Sequence, residues 1–112
     1  MQKFEYRTPR YSVDLPVRFS TQNLTVTGRC KEISKDGLTL ELSESLPTDS
    51  SGIVSISFQD HAVSLPARIV HPEGTRAGLE FHYASEVERN AVTRLIESLT
   101  NSTNPPRPIL LK

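Results

Sequence analysis

The sequence predicts a mainly β protein, a small antiparallel barrel or curled sandwich of six strands followed by one α-helix. Three features point there. Apolar residues recur at every second position through six short segments, turn-forming residues separate those segments, and near residue 85 the period changes to that of an amphipathic helix. Short strands with a single apolar face can bury it only by pairing antiparallel around a shared interior.

Leu15, Val17 and Phe19 define the first strand. Leu24, Val26 and Cys30 define the second, with Gly28 read as a bulge or a point where another backbone comes close. The third carries Leu38, Leu40 and Leu42. The fourth, with Val54, Ile56 and Phe58, is answered across a Gln59-Asp60 turn by Val63, Leu65, Ala67 and Ile69. Pro66 has no amide to donate, so it argues for an edge or a bulge in the fifth strand. Leu79 and Phe81 close the set after a turn through Glu73-Gly74. Ser85-Glu86-Val87-Glu88 then has the form of a capping box, in which serine and glutamate satisfy free amides at a helix start. Val87, Ala91, Val92, Leu95, Ile96 and Leu99 make one apolar stripe, for which the open end of the barrel is the simplest partner.

Asn-Ser-Thr-Asn-Pro-Pro-Arg-Pro, from Asn101, cannot continue that helix. The expected organisation is an N-terminal ligand-loop segment at 1–12, a barrel plus helix at 13–100, and a Pro-rich tail at 101–112 ending in an Ile109-Leu110-Leu111 patch that folds back or frays.

A length of 112 residues suits one domain, and 36% apolar with 23% charged residues suits an ordinary soluble one. No apolar run approaches the roughly 18 residues of a membrane span, and Met1 to Arg10 lack the apolar core of a secretory signal. A cytoplasmic address without direct membrane insertion is expected. Cys30 is the single cysteine, which excludes an internal disulfide, and its alternating surroundings read as a buried strand position rather than a nucleophile. His61, His71 and His82 lack zinc-ligand spacing, so no metal is expected. No nucleophile and base set, paired carboxylates or Gly-rich phosphate loop suggests an enzyme. Small barrels that bind single-stranded nucleic acid use stacked aromatics and a basic groove; 6% aromatics and a net charge of zero speak against DNA or RNA as partner. Charge is nonetheless uneven: residues 1–37 carry seven Lys/Arg against four Asp/Glu, a bias that would draw an anion toward this part of the chain.

Two segments in that positive third carry the functional signal. Glu32-Ile33-Ser34-Lys35-Asp36-Gly37 sets a carboxylate, a hydroxyl and an uncovered glycine on one loop, which suits a flat polar ligand such as a purine edge. Tyr6-Arg7-Thr8-Pro9-Arg10-Tyr11 precedes the first strand. Together they resemble the PilZ domain, the bacterial receptor module for cyclic di-GMP, marked by Arg-x-x-x-Arg, a strand, and then Asp/Asn-x-Ser-x-x-Gly. The likeness continues through Ala67-Arg68-Ile69-Val70 and Ala77-Gly78-Leu79-Glu80-Phe81 to the closing helix, roughly residues 4 to 99. It implies a six-stranded antiparallel PilZ-like β-barrel with a C-terminal α-helix.

The resemblance also implies a site in which two arginines grip guanine Hoogsteen edges and phosphates, because a guanidinium fork meets both bidentately, while a carboxylate accepts from the Watson–Crick edge. Here Tyr6 stands where the first arginine would be, Arg7 lies one residue late, and Glu32 replaces Asp or Asn; Arg10, Ser34 and Gly37 are in register. The expected ligand-binding set is Tyr6, Arg7, Arg10, Glu32, Ser34 and Gly37, with cyclic di-GMP as ligand, no cofactor, and an unknown effector protein as output partner. The alternative is a degenerate domain that binds no nucleotide and works as a protein-interaction adaptor. Independently of any ligand, an Asp36-Gly37 turn would use glycine for its positive φ. Arg10 and Ser34 read as exposed loop positions whose substitution leaves stability nearly unchanged.

Overall fold

The computed structural model describes residues 9–100. Six strands, β1 (Tyr11–Ser20), β2 (Thr25–Ile33), β3 (Gly37–Leu42), β4 (Ser51–Phe58), β5 (His61–Glu73) and β6 (Arg76–Phe81), precede one helix, α1 (Glu86–Thr100). All neighbours pair antiparallel in the order β1-β2-β3-β6-β5-β4, and pairing of Val17 with Ile56 and Phe19 with Val54 joins β1 to β4. The sheet is therefore a closed barrel, the first of the two shapes open to the sequence.

Alternation decides what fills it. Leu15, Val17, Phe19, Val26, Cys30, Leu38, Leu40, Leu42, Val54, Ile56, Val63, Leu65, Ala67, Ile69, Leu79 and Phe81 are all buried in one continuous core. The phase slips once within β2. Cys30 and Ile33 both point inward because an extra residue opposite β3, between Cys30 and Glu32, forms a bulge. Gly28 pairs regularly with Leu42 and is no bulge; a Cβ there would meet the Glu41 carbonyl oxygen at 2.2 Å, so close backbone approach explains it. Leu24 belongs to the β1–β2 turn rather than to β2 and is 40% exposed.

Pro66 is not in a bulge, since it pairs with Ile53 of β4; β5 runs between β4 and β6, but its ladder to β6 begins only at Ala67, so Pro66 sits where β5 is locally an edge. Its carbonyl accepts from the His82 amide at 2.9 Å, just beyond the end of β6. The amide that proline lacks faces the same way, where the ladder has run out and His82 is exposed.

Ser85 caps α1 as expected, its Oγ accepting from the Glu88 amide at 3.4 Å, while Glu88 Oε1 reaches back to the Ala84 amide at 2.6 Å. Val92, Leu95, Ile96 and Leu99 are buried, and the helix packs against β5. Val87 departs from the expected stripe and is 76% exposed. At about 100° per residue it falls well off the face centred on Val92 and Leu95, and half-buried Glu88 takes that place. His61 Nε2 and Ser98 Oγ, 2.6 Å apart, tie the helix to the start of β5.

Cys30 is fully buried, and its Sγ donates to the Glu32 carbonyl at 3.2 Å. Burial pushes the thiol up to about 12, which leaves about one molecule in ten thousand as thiolate at pH 8. Native protein should accordingly resist a thiol reagent such as DTNB at pH 8 and react with one equivalent after denaturation; rapid native labelling would contradict the burial.

Candidate functional site

The β2–β3 turn is built around Ser34. Its amide donates to the Gly37 carbonyl at 2.8 Å, and its hydroxyl accepts from the Asp36 amide at 3.1 Å and donates to the Gly37 carbonyl at 3.4 Å. Serine side chains stabilise turns in this way by standing in for a backbone acceptor. At 8% exposure Ser34 is buried, contrary to the exposed loop position expected, and its hydroxyl is engaged by the turn itself.

Gly37 is required for a different reason from the one the turn suggested. Among the described glycines only Gly74 has positive φ. A Cβ on Gly37 would lie 2.0 Å from the Leu79 carbonyl oxygen, so a side chain cannot fit where β3 meets β6. The turn is also fastened from outside. The Phe81 amide donates to the Asp36 carbonyl at 2.9 Å, and the Tyr83 hydroxyl donates to the Lys35 carbonyl. Burial pushes the Tyr83 phenol up to about 12, keeping it a donor at neutral pH, and the Arg89 guanidinium of α1 stands 4.5 Å from its ring centroid.

Beside the turn a groove of about 410 Å³ crosses the outer face of four strands. Its floor is one register row: Glu32 of β2 pairs with Thr39 of β3, Thr39 with Gly78 of β6, and Gly78 with Val70 of β5. Gly78 carries no side chain into the middle of that row, so the floor there is backbone. Arg10 covers one end, its Nη2 2.9 Å from Glu32 Oε1 and 3.4 Å from Thr39 Oγ1. His71 forms part of the other end at a β5 irregularity, with a φ of 50° that a non-glycine residue adopts at a cost of about 1–3 kcal/mol.

Among the described residues, the cations of the N-terminal third do not converge on this groove. Among its described lining residues Arg10 is the one Lys/Arg, against Glu32, Asp36 and Glu80. Arg29 and Lys31 instead pair with Asp14, at 2.9 and 3.4 Å. Glu80 is compensated from behind: Arg68 and His82 each bond Oε1 at 2.9 Å and hold its carboxyl below the usual range, while Arg68 also reaches Asp49 at 2.5 Å. Arg68 thus anchors a wall of the groove without lining it, and Arg76 faces Glu41 at 3.7 Å.

Of the residues expected from sequence, Arg10, Glu32, Ser34 and Gly37 all line this one groove. Tyr6 and Arg7 lie outside the described residues. Sequence reasoning missed Thr39, Gly78, Val70 and His71. Strand alternation puts Thr39, Gly78 and Val70 on the outer face, but only register shows that they form one row with Glu32.

The PilZ domain family model matches residues 5–98. The chain belongs to the PilZ domain family. Among solved structures, the PilZ domain of CeSA from a cellulose-synthesizing bacterium is similar at a TM-score of 0.70 and 20% identity, over 80% of this chain and 96% of that one. The Bacillus subtilis inhibitor of motility, MotI/DgrA, is similar at 0.65 and 16% identity, over 93% of this chain and 55% of that one. At these identities the likeness is one of fold. No curated protein matches. Among the described residues of this PilZ domain, no group of three or more His, Cys, Asp or Glu is placed to hold a metal ion, and no helix is long and apolar enough to cross a membrane.

Two substitutions separate the supports of the PilZ turn. Gly37→Ala forces a shift of the β3–β6 backbone and should cost about 1–3 kcal/mol, lowering the thermal midpoint by roughly 4–8 °C for each kcal/mol. Ser34→Ala should cost about 1 kcal/mol, for two hydrogen bonds lost at a buried position. Calorimetric melting of both variants checks the order; an unchanged midpoint for Gly37→Ala would contradict the close approach.

Proposed function

We propose that this PilZ domain is a cytoplasmic cyclic di-GMP receptor that passes the level of the second messenger to a partner protein. The observation that carries the reading is the convergence of Arg10, Glu32, Ser34 and Gly37, separated by up to 27 positions in sequence, on a single outward groove with a side-chain-free centre at Gly78. Arg10 supplies the guanidinium fork for a guanine edge or a phosphate. The bare backbone at Gly78 lets a flat purine lie against the sheet, and the Ser34–Gly37 turn forms the adjoining wall. The proposed ligand set also includes Arg7, as second cation, and Tyr6, as a stacking face.

Transmission needs no catalysis. A ligand that moves the 34–37 turn also pulls on Tyr83 and Phe81, and through the Tyr83–Arg89 contact on the first turns of α1. The exposed face of that helix, with Val87, is then the surface a partner reads. One observation favours a second reading, a PilZ adaptor that no longer binds nucleotide: three carboxylates and a single arginine line the described part of the groove.

Isothermal titration calorimetry of the full chain with cyclic di-GMP, with cyclic di-AMP and GTP as controls, decides between them. The receptor reading expects saturable heat specific to cyclic di-GMP, weakened about tenfold to a hundredfold by Arg10→Ala, the worth of one bidentate guanine contact. Absence of heat at about 100 μM protein would favour the adaptor.

A further inference from the structure

We infer that Glu32 is a built-in competitor for Arg10, and so sets the affinity of the groove rather than adding to it. The inference rests on the receptor reading above and concerns how that site is tuned. The guanidinium is already engaged: Nη2 meets Glu32 Oε1 at 2.9 Å and Thr39 Oγ1 at 3.4 Å. Glu32 and Thr39 stand opposite each other in register, so both hold Arg10 from the same end of the groove.

Side-chain length makes this pairing possible. The β2 bulge between Cys30 and Glu32 sets the backbone position, and the glutamate carboxylate spans the remaining distance to an ion-pair contact of 2.9 Å. A side chain one methylene shorter would draw the oxygen back by about 1.5 Å, the length of a carbon–carbon bond, and open the pair beyond the roughly 4 Å of an ion-pair contact. A phosphate or guanine edge that takes Nη2 of Arg10 competes with this carboxylate for the guanidinium. It then leaves Glu32 without its cation and close to the ligand's own negative charge.

Glu80 imposes no equivalent penalty, since Arg68 and His82 compensate it from outside the groove. Side-chain exposures of 39% for Arg10 and 36% for Glu32 bound the effect. Exposed pairs of this kind shift an equilibrium by about fivefold or less. The opposite assignment, Glu32 as a productive acceptor from the guanine Watson–Crick edge, predicts the reverse sign when its charge is removed.

Glu32→Gln keeps the length and shape of the side chain and removes its charge. Titration of cyclic di-GMP into the full-length wild type, Glu32→Gln, Arg10→Ala and the double variant, under one buffer and salt condition, tests the inference. Competition expects Glu32→Gln to bind about threefold to fivefold more tightly than wild type, and the double variant to bind no better than Arg10→Ala, because without Arg10 there is nothing to compete for. Equal or weaker binding by Glu32→Gln, with wild type still binding, overturns the competitor role and leaves the receptor reading standing. A gain that persists in the Arg10→Ala background also overturns it, since general repulsion would then be the cause. No heat from either wild type or Glu32→Gln refutes the receptor reading, and the inference falls with it.

Discussion

The contact on which the rest of the site depends is the approach of β3 to β6 at Gly37, where the Leu79 carbonyl occupies the space any Cβ would need. That seam fixes where the β2–β3 turn ends, and with it the buried Ser34 hydroxyl that closes the turn. The same pairing carries Thr39 onto Gly78, so the strand contact that excludes a side chain at Gly37 also lays a bare backbone floor two residues further along. Phe81 and Tyr83, immediately after the seam, bind the outer carbonyls of the turn. Turn geometry and groove floor are thus both tied to one backbone-to-backbone constraint, and neither requires a ligand.

Much of the fold was legible because alternation is local. Six segments with inward Leu, Val, Ile and Phe at every second position specify strands and their buried faces, and the change of period at Ser85 specifies the helix. What alternation cannot encode is which strand lies beside which, or in what register. The β1–β4 closure, the β2 bulge that turns both Cys30 and Ile33 inward, and the lateral row from Glu32 to Val70 all arise from pairings between residues distant in sequence. Pro66 shows the same limit: its edge signal holds only locally, in a strand that runs between two neighbours, because β6 ends beside the proline.

Part of the groove lining was legible in the sequence, but not the physical role of each residue. Arg10, Glu32, Ser34 and Gly37 could be singled out from their order and spacing. Their duties could not, because Ser34 is consumed by its own turn, Gly37 serves packing rather than positive φ, and Glu32 is already paired. Charge was the least transferable property: a surplus of cations in the first third of the chain says nothing about which way each points, and Arg29 and Lys31 turn to Asp14. On the proposed reading, a PilZ groove retains its framework while the balance between Arg10 and its carboxylate neighbours tunes how readily it accepts an anion.

The central claim, that the outer-face groove across β2, β3, β6 and β5 is the nucleotide site, is tested most directly by mapping amide chemical shifts of isotope-labelled protein during a cyclic di-GMP titration. Shifts concentrated at Arg10, Ser34 to Thr39, Gly78 and Val70–His71, extending through Tyr83 into the start of α1, are the result the account predicts. Shifts confined to the opposite face, on the outer side of β1 and β4, or none at saturating nucleotide, would contradict it.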